Sequence, residues 1–125
     1  MKKVIIDTNA LMAMVEFKID LFAELEKTCD FKYEIMVLEG TIRELQQIQQ
    51  EQRSRFKRAA ALMLAVLKAK KVPVITAAGD SFVDDELVQQ SRQGVLVLTQ
   101  DRELKRRLSR PYLTIRQKRI VVLVE

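Results

Sequence analysis

"VIIDTNALM", residues 4–12, runs an apolar stretch straight into a carboxylate. Val4, Ile5 and Ile6 have the composition of a strand buried on both faces, where continuous apolar residues replace in-out alternation. Asp7 ends that run, and Thr8 and Asn9 follow it. All three residue types favour turns and helix starts, so one reading of Asp7 is a helix-start residue. The sharper reading is that a buried strand delivers one ligand of a metal site, and the rest of the chain must supply the others.

Outward from this stretch the pattern repeats. Residues 3–6, 35–38, 74–76, 95–98 and 113–115 read as five short strands, and 120–124 is a candidate last edge strand. Helical spacing fills the intervals. It covers 11–27 with a break expected near Ile19 and Asp20, 41–51 after Gly40, 54–71, 83–93 before Gly94, and 101–108. In the 54–71 helix, Phe56, Ala60, Leu64 and Leu67 form the apolar face, widened by Met63 and Val66. Pro73 ends that helix, residues 77–82 read as loop, and Gly94 sits where a helix terminator is expected. Strands alternating with helices, each strand a continuous apolar run, specify an α/β fold with a parallel sheet covered on both faces.

Composition narrows the chemistry. The 125 residues are enough for one domain, 1–125, with its own core. Nothing reads as a signal peptide, and the longest apolar run, 59–67, is far shorter than the ~20 residues of a spanning helix. A cytoplasmic protein with no membrane partner is expected. Cys29 is the only cysteine, so no internal disulfide forms and a cysteine zinc site lacks ligands. Histidine is absent, which removes Ser-His-Asp and Cys-His nucleophile schemes and zinc sites built on imidazole. Hydrolytic chemistry therefore rests on carboxylates, lysines or oxygen-bound metal ions.

In an open parallel sheet, ligands bind beyond the carboxyl ends of the strands. Asp7 follows the first strand, Glu44 lies in the first expected helical turn after the second, Asp84 and Asp85 begin the helix after the third, and Asp101 follows the fourth. Each has a local explanation: Thr41 and Glu44 fit a capping box, and Asp84 and Asp101 fit helix starts. Capping does not explain four successive junctions with an acid at one rim, and converging carboxylates repel unless a cation lies among them. A cation bound by oxygen alone is Mg²⁺ or Mn²⁺, and two such ions suit in-line phosphodiester cleavage. The net charge of +5 agrees, since it suits a polyanionic partner. Its cations cluster at Arg53, Arg55, Lys57 and Arg58, and from Arg102 through Lys105, Arg106 and Arg107 to Arg119, where Glu103 is the lone acid.

These features together resemble the PIN-domain nucleases. The resemblance rests on "VIIDTNALM", on Glu44 within "GTIRELQQI" (40–48), on "VDDELVQQ" (83–90) and on "VLVLTQDRELKRRL" (95–108), in family order across nearly the whole chain. With "TIRQKRIVVL" (114–123), the pieces look most like the archaeal and eukaryotic ribosomal-RNA processing branch; VapC-type toxins share the fold and the acids. The resemblance implies a three-layer PIN-like fold with a central, mostly parallel five-stranded sheet flanked by helices on both faces. It implies Asp7, Glu44, Asp84 and Asp101 as the metal-binding, catalytic quartet, with Thr8, Asn9 and Thr99 as hydrogen-bonding supports. Asp85 is a further candidate ligand, because either acid of the pair is able to point inward; the apolar positions of "DDELVQQ" favour Asp84.

The implied activity is metal-dependent hydrolysis of single-stranded or structured RNA. Arg43, Arg53, Arg55, Arg58, Arg102, Lys105, Arg106 and Arg107 are the candidate phosphate contacts. Partners implied beyond RNA are a second copy of the chain, an antitoxin, or a ribosome-assembly factor. A phosphoryl-receiver domain would need paired acids where this chain has Asp-Thr-Asn, and a haloacid-dehalogenase-like phosphatase would need an acid at Asn9. A non-enzymatic RNA-binding or assembly protein on the same fold is the alternative from another class.

Overall fold

The structure is a computed structural model that describes residues 1–51, 53–76 and 82–125. Its elements run β1 (Lys2–Ile6), α1 (Thr8–Phe17), α2 (Leu21–Thr28), β2 (Tyr33–Leu38), α3 (Glu39–Glu51), α4 (Ser54–Ala69), β3 (Val74–Ile75), α5 (Val83–Arg92), β4 (Leu96–Leu98), α6 (Arg102–Arg107), β5 (Tyr112–Arg116) and β6 (Ile120–Val124). The strands form one sheet in the order β3-β2-β1-β4-β5-β6. All neighbours pair parallel except β5 and β6.

The apolar run of β1 explains the layering. Val4 and Ile6 point to one face, where α1 and α2 contribute Ala10, Leu11, Leu21 and Leu25, and α3 and α4 add Leu45, Ala60, Met63 and Leu67. Ile5 points to the other face and packs with Met36, Leu38 and Val97 beneath Leu87, Val88 and Leu104 of α5 and α6. Side chains on a strand alternate between faces, so one continuous β-branched run serves two cores.

The expected break in the first helical stretch is present. Lys18 closes α1 in the left-handed region at φ 55°, and Asp20 accepts hydrogen bonds from the Phe22 and Ala23 amides to start α2. Gly94 follows α5 at φ 90°, which a side chain would strain.

Four expectations are corrected. The sheet has six strands, not five: 120–124 pairs antiparallel along the whole of β5. The turn joining them holds Gln117 and Lys118 at φ 55° and is closed by the Arg119 amide donating to the Arg116 carbonyl at 3.1 Å. Such positive-φ turns are normally signalled by Asn or Gly, and neither is present. The third helix starts at Glu39 and so contains Gly40 and Thr41; Glu44 therefore lies in its second turn, and no Thr41–Glu44 capping box forms. On α4 the buried line is Ala59, Ala60, Met63 and Leu67, whereas Phe56 is 38% exposed. The third strand is two residues long, and of the expected loop only Phe82 is described.

Candidate active site

The strand order reverses at β1, which lies between β2 and β4. Such a reversal opens a crevice beyond the strands' carboxyl ends. Asp7 stands at its floor, with its amide donating to the Leu98 carbonyl at 2.9 Å, so the exits of β1 and β4 are tied together. The Asp7 side chain is 5% exposed. Its Oδ1 accepts from the Thr8 amide at 2.8 Å and its Oδ2 from the Thr99 hydroxyl at 2.8 Å. Asp7 is thus the N-cap of α1 and a buried, oriented carboxylate at once. The helix-start reading of Asp7 describes this geometry.

A polar frame extends from this point. Thr99 Oγ1 accepts from the Asp101 amide at 3.1 Å, and Asn9 Oδ1 accepts from the Gln100 amide at 3.1 Å. Thr8 Oγ1 donates to Glu44 Oε1 at 2.5 Å and also lies 3.2 Å from the buried hydroxyl of Thr41. Thr8 and Thr99 hydrogen-bond to Asp7, and Thr99 also to the Asp101 amide, whereas Asn9, expected to meet Asp7, bonds Gln100 and Thr99 instead. Thr114 and Gln100, which the sequence does not single out, complete the frame with Thr41, which meets Thr8 rather than capping a helix. The Thr114 hydroxyl donates to the Thr99 carbonyl at 2.8 Å, and Gln100 Oε1 accepts from the Ile115 amide at 3.3 Å. A threonine between the apolar Leu113 and Ile115 of β5 is the available signal for Thr114.

Gly40 sets the spacing between the helices that carry Glu44 and Asp84. A Cβ added at Gly40 would lie 2.6 Å from Val83 Cγ2, so α3 and the start of α5 approach through the missing side chain.

Electrostatics ties the acids together. Burial pushes the Asp7 carboxyl up from 3.8 to about 6 against the two hydrogen bonds it accepts, and the charges of Asp84 and Glu44 push the same way. Partial burial, followed by the charge of Asp101, raises Asp84 above its ordinary value, while Arg107 pulls it down. Asp85 is turned to Arg107 Nη2 at 2.5 Å instead. Asp101 caps α6, accepting from the Glu103 and Leu104 amides, and Glu103 is exposed beside Arg106. With Glu44 held on Thr8 and Asp101 on amides, the acids ring the crevice without meeting at one point. Among the described residues, no three acidic or cysteine side chains are drawn together closely enough to hold an ion between them.

The candidate phosphate contacts divide. Arg43, Arg106 and Arg107 are engaged with Glu39, Glu103 and Asp85. Arg55 stacks over Phe56 with its guanidinium 4.7 Å from the ring centre, and Arg53 and Arg58 are exposed at the start of α4. Arg102, Lys105 and Arg116 form a cationic group beside Asp101: burial, then Arg102 and Arg116, push the Lys105 ammonium below its usual value, and Asp101 opposes them.

Comparison with known proteins places this geometry in a family. The chain is 28% identical over 124 residues to ribonuclease VapC4 of Methanocaldococcus jannaschii, covering 95% of this chain and 94% of the relative. Its fold matches the structure of the PIN domain endonuclease Utp24 with a TM-score of 0.78 at 24% identity, covering 97% of this chain and 90% of that one. It also matches the crystal structure of PAE2754 from Pyrobaculum aerophilum with a TM-score of 0.58 at 19% identity, covering 86% and 81% of the two chains. A family profile described as a PIN like domain matches residues 4–119, and the chain belongs to that family.

Proposed function

We propose that this protein is a metal-dependent endoribonuclease that hydrolyses RNA phosphodiester bonds with Mg²⁺ or Mn²⁺, in RNA processing such as that of ribosomal RNA. The observation that carries the reading is Asp7. It is a buried carboxylate fixed by Thr99 and Thr8, repelled by Asp84 and Glu44, with no Lys or Arg paired to it among the described residues. A charge held under those conditions is stabilised by a counter-ion. The donor set, Asp7, Glu44, Asp84 and Asp101 with Asp85 alongside, is all oxygen, the donor type of a hard divalent cation, and its side chains would have to turn inward from the crevice walls to hold one.

A cation bound there supplies neutralisation of a phosphate oxygen and a lower pKa for water. The chain supplies the rest. Thr99 aims Asp7 Oδ2, Thr8 holds Glu44 at the opposite wall, and the exposed Asp84 carboxylate is the group suited to accept a proton from water. Arg102, Lys105 and Arg116 receive the phosphodiester backbone beside Asp101, and Arg53, Arg55 and Arg58 extend the track. The test is cleavage of end-labelled RNA with Mn²⁺ by the wild type and by Asp7→Asn. Cleavage by the first and not by the second supports the proposal. Equal binding with no cleavage by either makes the protein a non-catalytic RNA-binding or assembly module.

A second reading is a VapC-type toxin with an antitoxin partner, favoured by the likeness to ribonuclease VapC4 along nearly the full chain. Immediate growth arrest on expression of the chain alone supports the toxin; unimpaired growth with ribosome-associated protein supports processing. A homodimer is a further expectation, measured by sedimentation. Among the described residues no helix is long and apolar enough to cross a membrane, and the cytoplasm is the proposed location.

A further inference from the structure

At the end of the sheet opposite the acids, the strands begin rather than finish. A cleft of about 640 Å³ opens there between the starts of β1, β2 and β4 and the end of α5. Its walls carry Lys2, Lys3 and Lys32, the half-buried ring of Phe31, and the amides of Gln90 and Gln93. No acidic residue lines it, although Glu34 neighbours Lys3 across the β1–β2 pair. All three lysines are exposed, and none forms an ion pair among the described residues. Like charges gathered on a concave surface whose own lining holds no acid raise the local concentration of anions.

We propose that this cleft is a second anchoring site for the RNA backbone, remote from the scissile bond. The lysines, reaching the cleft from both faces of β1 and from the start of β2, take phosphates, and Phe31 offers a ring for a base to stack on. The Gln93 amide supplies hydrogen bonds to sugar or base, the Gln90 amide being engaged with Glu86 at 3.0 Å. β1 alone separates the cleft from Asp7, and five residues of strand span roughly 16 Å. An RNA strand engaged at the acidic crevice must therefore pass along the flank of the molecule to reach the cleft. The cleft selects for longer or folded substrates and leaves very short ones unaffected. This inference rests on the ribonuclease reading and adds the length of substrate that the enzyme distinguishes.

The experiment compares wild type with Lys2→Ala/Lys32→Ala and with a charge-matched control, Lys27→Ala/Lys68→Ala, on single-stranded RNAs of about 5 and about 30 nucleotides. Far-ultraviolet circular dichroism and the thermal midpoint establish that each variant is folded; Lys2→Gln/Lys32→Gln repeats the measurement if the alanine pair is not. For the long RNA, the slope of log affinity against log salt falls by about 1.4 in the cleft variant, at roughly 0.7 per lost phosphate contact. The Michaelis constant for cleavage of that RNA rises about tenfold. Cleavage of the short RNA and all properties of the control stay as in wild type. An unchanged slope in the folded cleft variant, or an equal loss in the control, overturns the second anchor. Failure of the wild type to bind or cut either RNA instead overturns the ribonuclease reading.

Discussion

Substituting Asp7 by Asn should stabilise the metal-free protein at neutral pH, an unusual outcome for a buried polar residue. In the folded chain the Asp7 carboxyl titrates at about 6, against 3.8 for the ordinary group. That rise corresponds to ~3 kcal/mol by which folding disfavours the ionised form. Because the folded state holds its proton more tightly, stability is greatest below 3.8 and falls as the pH rises towards about 6, then levels. Asn carries no charge and fits the same frame. Its carbonyl oxygen accepts from the Thr8 amide as Oδ1 does, and its amide donates to Thr99 Oγ1, whose proton turns to Asn9 Oδ1 at 3.3 Å. At pH 7.5 with chelator, Asp7→Asn should unfold ~1–3 kcal/mol later than wild type, a midpoint higher by about 5–10 °C. At pH 3.5 the difference should vanish. Adding Mn²⁺ should then raise the wild-type midpoint and leave the variant's nearly fixed, because only the native wild-type site binds the ion. Thermal melts followed by circular dichroism at the two pH values, with and without metal, measure all of this. A variant less stable than wild type at pH 7.5 without metal would refute the claim that Asp7 is an uncompensated buried charge.

Further outcomes follow from the same frame. Thr99→Val removes the hydrogen bond that lowers the Asp7 pKa and leaves the Asp101 amide without its acceptor; stability should drop by ~1–3 kcal/mol, and the pH at which Mn²⁺ binds half-maximally should move upward. Asp84→Asn should cut RNA hydrolysis by about 100-fold or more, as for loss of one group from a pre-set electrostatic site. Asp85→Asn should leave hydrolysis within a few-fold of wild type, since its carboxylate is engaged by Arg107; a large loss in Asp85→Asn with little in Asp84→Asn would assign the inner position to Asp85. Gly40→Ala gains helix propensity of ~1 kcal/mol but forces Val83 away from a 2.6 Å contact, at an overpacking cost of ~1–3 kcal/mol. A net loss of stability together with reduced hydrolysis supports Gly40 as the spacer between Glu44 and Asp84; full activity removes that role.

Much of this protein was legible from order along the chain. The apolar runs before Asp7 and around Val97 are long enough to mark strands and too continuous to face water, so the parallel, two-sided sheet follows from them alone. The rim position of Asp7 and Asp101 follows as well, because a strand's end in sequence is also its end in space. The sixth strand lacked that support, since Gln117 and Lys118 reach the left-handed region without the residues that usually advertise it. The start of α3 is not legible either, because Gly40 reads as punctuation ahead of Thr41, whereas the fold places it inside the helix as clearance for Val83.

Sequence by itself determined the fold class, the lack of any histidine and the acids available to the crevice, because those depend on residue type and on period along one chain. Tertiary structure decided what each of these residues meets. It set the Thr99 hydroxyl against Asp7, turned Glu44 onto Thr8 instead of back onto Thr41, gave Asp85 to Arg107, and brought three lysines to the far end of the sheet. Contacts between side chains far apart in the chain depend on helix spacing and strand register, and no local pattern encodes those distances.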